Sequence, residues 1–141
     1  MSVRQFLMEQ GLKQMRKRTY FDPNYSVETY LNKIPMYFDP AKAKDRRLVV
    51  VYEFHDSGHN DGAWTVTIED GKCTLTKGEA EEYESKFYMT ADTYHRILTG
   101  QLDAVRLAYS VGAIRFFGNT IAHRELNSYL TIPKEARLAS L

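Results

Sequence analysis

The sequence predicts an α+β fold in which helices cover one face of a single sheet. Three observations carry this. The apolar period switches from 3.6 to 2 near residue 48 and returns to 3.6 after residue 90. An Asp-Gly pair at 70–71 joins two alternating runs, a strong short-range hairpin signal. The resulting order is helix, helix, three strands, a fourth strand, two helices, a strand and a last helix, which leaves one sheet whose apolar face helices can bury.

The elements follow in order. Residues 3–18 place Val3, Leu7, Gly11 and Met15 on one stripe, widened by Phe6, Met8 and Leu12, and the basic run Arg16, Lys17, Arg18 suits a helix C-terminus. "YFDPNY" at 20–25 breaks that helix, because a residue before proline avoids the helical region. Ser26 is a suitable N-cap for a second helix over "SVETYLNKI", with Val27, Tyr30, Leu31 and Ile34 at helical spacing, and Pro35 ends or kinks it. "AKAKDRR" reads as a polar linker.

"LVVVYEFH" (48–55) is a strand with Val50, Tyr52 and Phe54 on one face, and "DSGHNDG" (56–62) is turn chemistry. "AWTVTIE" (63–69) points Trp64, Val66 and Ile68 inward and Thr65, Thr67 and Glu69 outward. "KCTLTK" (72–77) points Cys73 and Leu75 inward and completes a meander. "GEAEEYES" (78–85) reads as a solvated loop. "KFYMTA" (86–91) is a fourth strand with Phe87 and Met89 inward, and Thr90 caps a helix that stops at Gly100. A short helix at 103–109 leads to "GAIRFFG". There Gly112, Ile114 and Phe116 share one face and Ala113, Arg115 and Phe117 the other. A helix over "TIAHRELNSYL" closes the fold.

Bulk composition bounds the function. A chain of 141 residues fits one domain, and Lys+Arg 19 against Asp+Glu 18 argues against a nucleic-acid binder, which carries a basic excess. The single cysteine, Cys73, allows no internal disulfide. No run has the apolar length to cross a bilayer, and the opening residues lack the apolar block of a signal peptide, so the expected location is the cytoplasm.

The residues name no reaction. His55 and His59 flank a turn with Asp56 and Asp61, but i,i+4 ligand spacing needs a helix, and the EF-hand positions for glycine and glutamate hold Asp61 and Thr67. His95 and His123 have no nucleophile or orienting acid beside them in sequence. Cys73 sits on an inward strand face, where it reads as a small hydrophobe. There is no nucleophile elbow, dinucleotide fingerprint or P-loop. No catalytic residue, metal site or cofactor is expected, and the chain reads as a non-enzyme.

Three ordered signals then resemble one family. Tyr52-Glu53-Phe54 leads through a glycine-bearing turn to a strand opening on Trp64; the hairpin is "DGKC"; and "TGQL" at 99–102 precedes a helix and a strand ending "FFGN". From about Ser26 to Leu130 this pattern resembles the sterol carrier protein 2 (SCP-2) domain. The resemblance implies a five-stranded, largely antiparallel sheet covered on one face by helices, with an apolar tunnel between the layers and no catalytic residues. It implies residues 1–22 as an N-terminal helical extension, 23–133 as the lipid-binding domain and 134–141 as a tail. Ligands of such domains are fatty acids, fatty acyl-CoA, sterols or phospholipids.

The inward faces nominate a lining: Tyr30 and Ile34, then Phe54 and Trp64, then Ile97, Leu98, Leu102, Val105 and Tyr109. Ile114 and Phe116 follow from the last strand, and Ile121 and Leu126 from the last helix. The chain departs from the family where Ala113 and Phe117 replace common lysines, and where His123, Arg124 and Glu125 make the last helix more polar. These departures predict a smaller cavity, or a closed one. They also predict that protein covers Phe117, supplied by the N-terminal helix of the same chain or of a second copy in a homodimer. Membrane contact through Phe6, Leu7 and the basic run, at most transient, is the weaker alternative for that helix.

The leading function is therefore a lipid, sterol or fatty-acyl binding or transfer protein. The alternative is an interaction or accessory module that kept the fold, lost the cavity, and works beside an enzyme. An enzyme acting on acyl substrates has only fold analogy behind it.

Overall fold

Seven consecutive strand formers, LVVVYEF, make β1 (Leu48–Phe54), and neighbours on both sides make it the centre of the sheet. The structure is a computed structural model and describes Val3, residues 26–98 and residues 114–133. The helix expected at 3–18 (apart from Val3), the helix at 103–109, residues 111–113 of the last strand and the 134–141 tail lie outside the described residues.

β1 pairs antiparallel with β2 (Gly62–Glu69), which pairs antiparallel with β3 (Lys72–Lys77). On its other side β1 runs parallel to β4 (Ser85–Met89), which pairs antiparallel with β5 (Arg115–Gly118). The order is β3-β2-β1-β4-β5, a mixed and mostly antiparallel sheet of five strands, as expected. The β2–β3 hairpin turns at Asp70 and Gly71, both at positive φ (53° and 73°), the conformation of a type I′ turn.

The helices differ more from expectation. The second predicted helix is two short ones, α1 (Val27–Leu31) and α2 (Lys33–Tyr37), with Asn32 as the joint. Pro35 lies inside α2. It has no N–H for the Leu31 carbonyl, so the break falls upstream of the proline. Ser26 occupies the N-cap but makes no side-chain cap bond; the buried Asn60 Oδ1 instead accepts from the Val27 N–H at 3.0 Å. The expected linker contains a helical turn, α3 (Pro40–Ala43), with Pro at its first position and the Asp39 carboxylate accepting from the Ala41 N–H at 3.0 Å. α4 (Ala91–Leu98) starts at Thr90, whose Oγ1 accepts from the Thr93 N–H at 3.1 Å, as the sequence predicts. α5 (Ala122–Ser128) is the last helix.

On the inner face Leu48, Val50, Tyr52 and Phe54 align with Val66, Ile68, Phe87 and Met89, and Val27, Leu31, Ile34, Ala122 and Leu126 of the helices close the core over them. Burying each large side chain here contributes ~1.5–3 kcal/mol. β1 is buried on its outer face too, at Val49 and Val51, which is why it reads as a continuous apolar run.

The 78–84 loop is not merely solvated. It carries the chain from β3 at one side of the sheet to β4 on the far side of β1. Thr65 Oγ1 donates to the Gly78 carbonyl at 2.7 Å and accepts from the Ala80 N–H at 3.0 Å, so the predicted outward threonine is buried. The loop ends with the Glu84 N–H donating to the Val49 carbonyl and the Glu84 carbonyl accepting from the Asn119 N–H.

That last contact makes Gly118 obligatory. Its φ is +83°, and a Cβ there would stand 2.2 Å from the Glu84 carbonyl oxygen. Around this joint Arg46 binds both Glu84 (2.7 Å) and Glu125 (2.7 Å), tying the segment before β1 to the loop and to α5. The Arg46 guanidinium, with help from the Tyr129 hydroxyl, holds the Glu125 carboxyl below its ordinary range. Tyr37 to Asp39 and Tyr129 to Thr131 pair by backbone hydrogen bonds, joining the two ends of the described domain.

Candidate functional site

The inner face of the β4–β5 half of the sheet does not close completely against α5. Between them lies a cavity of about 240 Å³ lined by Phe87, Met89, Tyr94, Ile114, Phe116, Thr120, Ile121, His123 and Arg124. Alternation places Phe87 and Met89 on this face, and the register sets Phe116 opposite Phe87, their rings edge to face at 4.9 Å.

The floor of the site is aromatic. Tyr52, fully buried, stacks on Phe87 at 5.6 Å and touches Tyr94 at 5.8 Å, and Tyr94 also meets Phe54 at 5.3 Å. Burial pushes both phenols above their ordinary range, so neither ionises near neutral pH.

One polar chain crosses this wall. The Tyr52 hydroxyl lies 2.7 Å from His123 Nδ1, and His123 Nε2 lies 3.1 Å from the Asn127 amide nitrogen. With Asn127 donating, Nε2 accepts and Nδ1–H donates to the phenol oxygen. Burial against Tyr52 and Phe87 pushes the imidazole down to about 4, which keeps it neutral at neutral pH. His123 is half-buried, as expected, and neutral; it satisfies the hydroxyl that a tyrosine carries into the core.

The nominated lining residues divide. Ile114, Phe116 and Ile121 are on the cavity wall, with Ile121 at its mouth, 62% exposed. Ile34, Phe54 and Leu126 are buried in the core. Tyr30 and Trp64 are half-buried against that core, Tyr30 edge to face with His95 at 6.3 Å and Trp64 beneath the Lys77 ammonium at 5.7 Å. The backbone of Ile97 and Leu98 is in α4, but their side chains lie outside the described residues, as do Leu102, Val105 and Tyr109. The wall residues not nominated are Phe87, Met89, Tyr94, Thr120, His123 and Arg124. Phe87 and Met89 were legible as inward-facing neighbours of the last strand.

The remaining chemistry-bearing residues have structural partners. Ser57 Oγ donates to the His55 carbonyl and accepts from the Ala91 N–H, and Asp61 accepts from the Ser57 N–H, so the 56–62 turn is a joint between β1, β2 and α4. His55 stacks on Tyr88 at 4.2 Å. Cys73 is half-buried against the core and burial pushes its thiol up to about 11. Among the described residues no group of three or more His, Cys, Asp or Glu side chains could hold a metal ion, and no helix is long and apolar enough to cross a membrane.

Phe117 points to the outer face and keeps 51% of its surface exposed, with the Lys86 ammonium 5.8 Å from its ring. Full cover of this residue was expected; the N-terminal helix nominated to cover it falls outside the described residues. Lys86 also pairs with Glu53 at 2.8 Å and with Glu79, which fixes it over the sheet.

No family model and no curated protein sequence matches the chain. Solved structures do. The sterol carrier protein domain 2 of Helicoverpa armigera superposes with a TM-score of 0.54 and 17% identity, over 77% of this chain and 88% of that one. The fold is that of the sterol carrier protein 2 domain. The SCP-2 ubiquinone synthesis protein UbiJ matches with a TM-score of 0.51 and 13% identity, over 73% of this chain and 89% of that one. A double mutant of the sec-alkylsulfatase PisA1 of Pseudomonas sp. matches with a TM-score of 0.68 and 16% identity, over 81% of this chain. The chain spans less than a fifth of that enzyme's length, 18%. At these identities the SCP-2-like fold is what is shared.

Proposed function

We propose that this chain binds an apolar small molecule (a fatty acid, acyl-CoA, sterol or phospholipid) in the cavity between β4–β5 and α5, as a lipid-binding or transfer protein of the cytoplasm. The observation that carries the reading is the cavity itself: about 240 Å³ within the SCP-2-like fold, walled by Phe87, Met89, Tyr94, Ile114 and Phe116. Transfer of a ligand's apolar surface onto that wall is worth roughly 25 cal/mol per Å². The volume lies below the ~300–1,000 Å³ of common ligand sites. That agrees with the smaller cavity expected from the polar last helix.

In this reading the protein is not an enzyme. His123 is neutral and occupied by Tyr52 and Asn127, and Cys73 is a thiol held protonated by burial. Of the nominated lining, Ile114, Phe116 and Ile121 touch ligand. Tyr30, Ile34, Phe54, Trp64 and Leu126 support the wall. Native mass spectrometry of the full chain as purified tests this. A bound mass that dissociates on activation is the expected result; an empty protein that also takes up no added fatty acid, sterol or phospholipid overturns it.

A second reading, an accessory module beside an enzyme, is favoured by Phe117, a large apolar side chain left half-open on the outer sheet face. A matching fold within a much longer sulfatase chain suits that reading, as does one in a ubiquinone synthesis protein. A stable homodimer or enzyme complex lost on Phe117→Ser would support it. A monomer at all concentrations, with no enzyme partner retained, would count against it.

A further inference from the structure

The cavity is not uniformly apolar, and its polar groups are not scattered. Phe87, Met89 and Phe116 form the inner wall, whereas the exposed residues Thr120, Ile121 and Arg124 stand at the mouth. Among the described residues the lining contains one cation and no carboxylate. Two carboxylates at the joint beside α5 are already engaged. Glu125 binds Arg46 and Tyr129, and Glu84 binds Arg46 and accepts from Asn119 Nδ2 at 3.1 Å. Both ring nitrogens of His123 are occupied, by Tyr52 and Asn127. Among the described lining residues, Arg124 and Thr120 are the exposed polar side chains, and neither is held by a protein partner.

An arginine in that position has a specific chemical meaning. Its guanidinium is always charged and presents a planar fork of donors that matches an oxyanion with two acceptor oxygens. A neutral apolar ligand gains nothing from it beyond contact with its methylene stem. A ligand with an apolar end inward and an anionic oxygen head at the mouth satisfies both parts of the site at once. The volume also constrains the body. At ~30 Å³ per water-sized group, 240 Å³ holds about eight such groups, a short chain or a single ring system.

Resting on the ligand-cavity reading above, we propose that Arg124 is a specificity-determining residue. It selects ligands that carry one anionic oxygen head on a short apolar body, and it discriminates against neutral ligands of the same body. The wall residues supply affinity without regard to charge; Arg124, with Thr120 beside it, supplies the choice. Because Arg124 is exposed, its attraction is partly screened, so the discrimination is moderate and falls as salt rises.

The test uses the full chain at pH 8 and low salt, with 1-aminoanthracene as a neutral fluorescent occupant of the cavity. Octanoate and 1-octanol are displacing ligands with the same eight-carbon length, one ending in an anionic carboxylate and the other in a neutral hydroxyl. Octanoate is expected to displace the probe at a concentration roughly tenfold below that of 1-octanol. Arg124→Gln is expected to bring the two together, each displacement read against that variant's own affinity for the probe, and Arg124→Lys to keep most of the gap. Equal displacement by octanoate and 1-octanol in the unmodified protein overturns the proposal, as does a gap that survives in Arg124→Gln; in both cases the cavity reading stands. Failure of the protein to take up 1-aminoanthracene or either octyl compound is a different result. It removes the cavity reading, and the role of Arg124 with it.

Discussion

Lowering the pH should unfold this protein through His123 before its carboxylates account for the loss. The imidazole is held neutral between Tyr52 and Asn127, at about 4 against about 6.5 in the unfolded chain. The sign follows from which state takes the proton first. As pH falls below 6.5 the unfolded chain protonates this histidine and the folded chain does not, so stability is lost between about pH 6.5 and 4 and levels off below. At 1.36 kcal/mol per pH unit of difference the full effect approaches ~3 kcal/mol, and ~2–3 kcal/mol is lost by pH 4.5. Glu125 adds an acid loss of its own. Its folded value is depressed by Arg46, so its contribution is present above the unfolded value of about 4.5 and disappears as pH falls through the folded one. A comparison with His123→Gln separates the two, since every carboxylate remains. Urea unfolding at pH 7.5 and pH 4.5 is the assay. At slopes of ~1–3 kcal/mol per M, the unmodified protein should lose about 1 M more in midpoint than His123→Gln between the two pH values. Equal losses would show that the ring is hydrated in the folded state and would refute the desolvation argument.

Further outcomes follow from single contacts. Gly118→Ala should cost ~2–4 kcal/mol by thermal or urea unfolding, since it combines left-handed strain with a Cβ 2.2 Å from the Glu84 carbonyl oxygen; a melting temperature within a degree of the unmodified protein would show that β5 and the 78–84 loop are not so joined. Arg46→Ala should cost ~1–2 kcal/mol, more than an isolated surface pair, because both Glu84 and Glu125 lose their cation; the measurement is urea unfolding at pH 7.5, where both carboxylates are ionised. Cys73, its thiol at about 11, should react with iodoacetamide at pH 8 on the order of a hundredfold more slowly than the same cysteine in urea; comparable rates would place the thiol in water.

The strand half of the fold was legible because alternation and turn chemistry are local. Asp70-Gly71 sets a two-residue turn by its own positive φ values, and β2 and β3 inherit their register from it. The helical boundaries were less legible because distant residues decide them. Asn60, 33 positions away, takes the capping role that Ser26 has the composition for. The 78–84 loop looked solvated because it is polar, yet its polar groups are what Thr65 needs to be buried.

The site was legible in part for the same reason. Inward faces identify Ile114 and Phe116, but periodicity does not separate wall from core, and Phe54 and Leu126 share the inward pattern while being filled over by neighbours. The polar residues of the last helix looked like departures from a lipid site. In the structure His123 answers the buried hydroxyl of Tyr52, Glu125 anchors Arg46, and Arg124 faces the mouth. Their sequence neighbourhood contains none of those partners.

In the proposed function an apolar ligand occupies the space between β4–β5 and α5. Methyl NMR reads it directly. Titration of the full chain with 1-aminoanthracene or octanoate should shift the methyl signals of Met89, Ile114 and Ile121 together and saturably, while those of Val66 and Ile68, core residues of β2 outside the cavity lining, stay in place. Shifts spread evenly over the core, or absent from Met89 and Ile114 at saturating ligand, would contradict it.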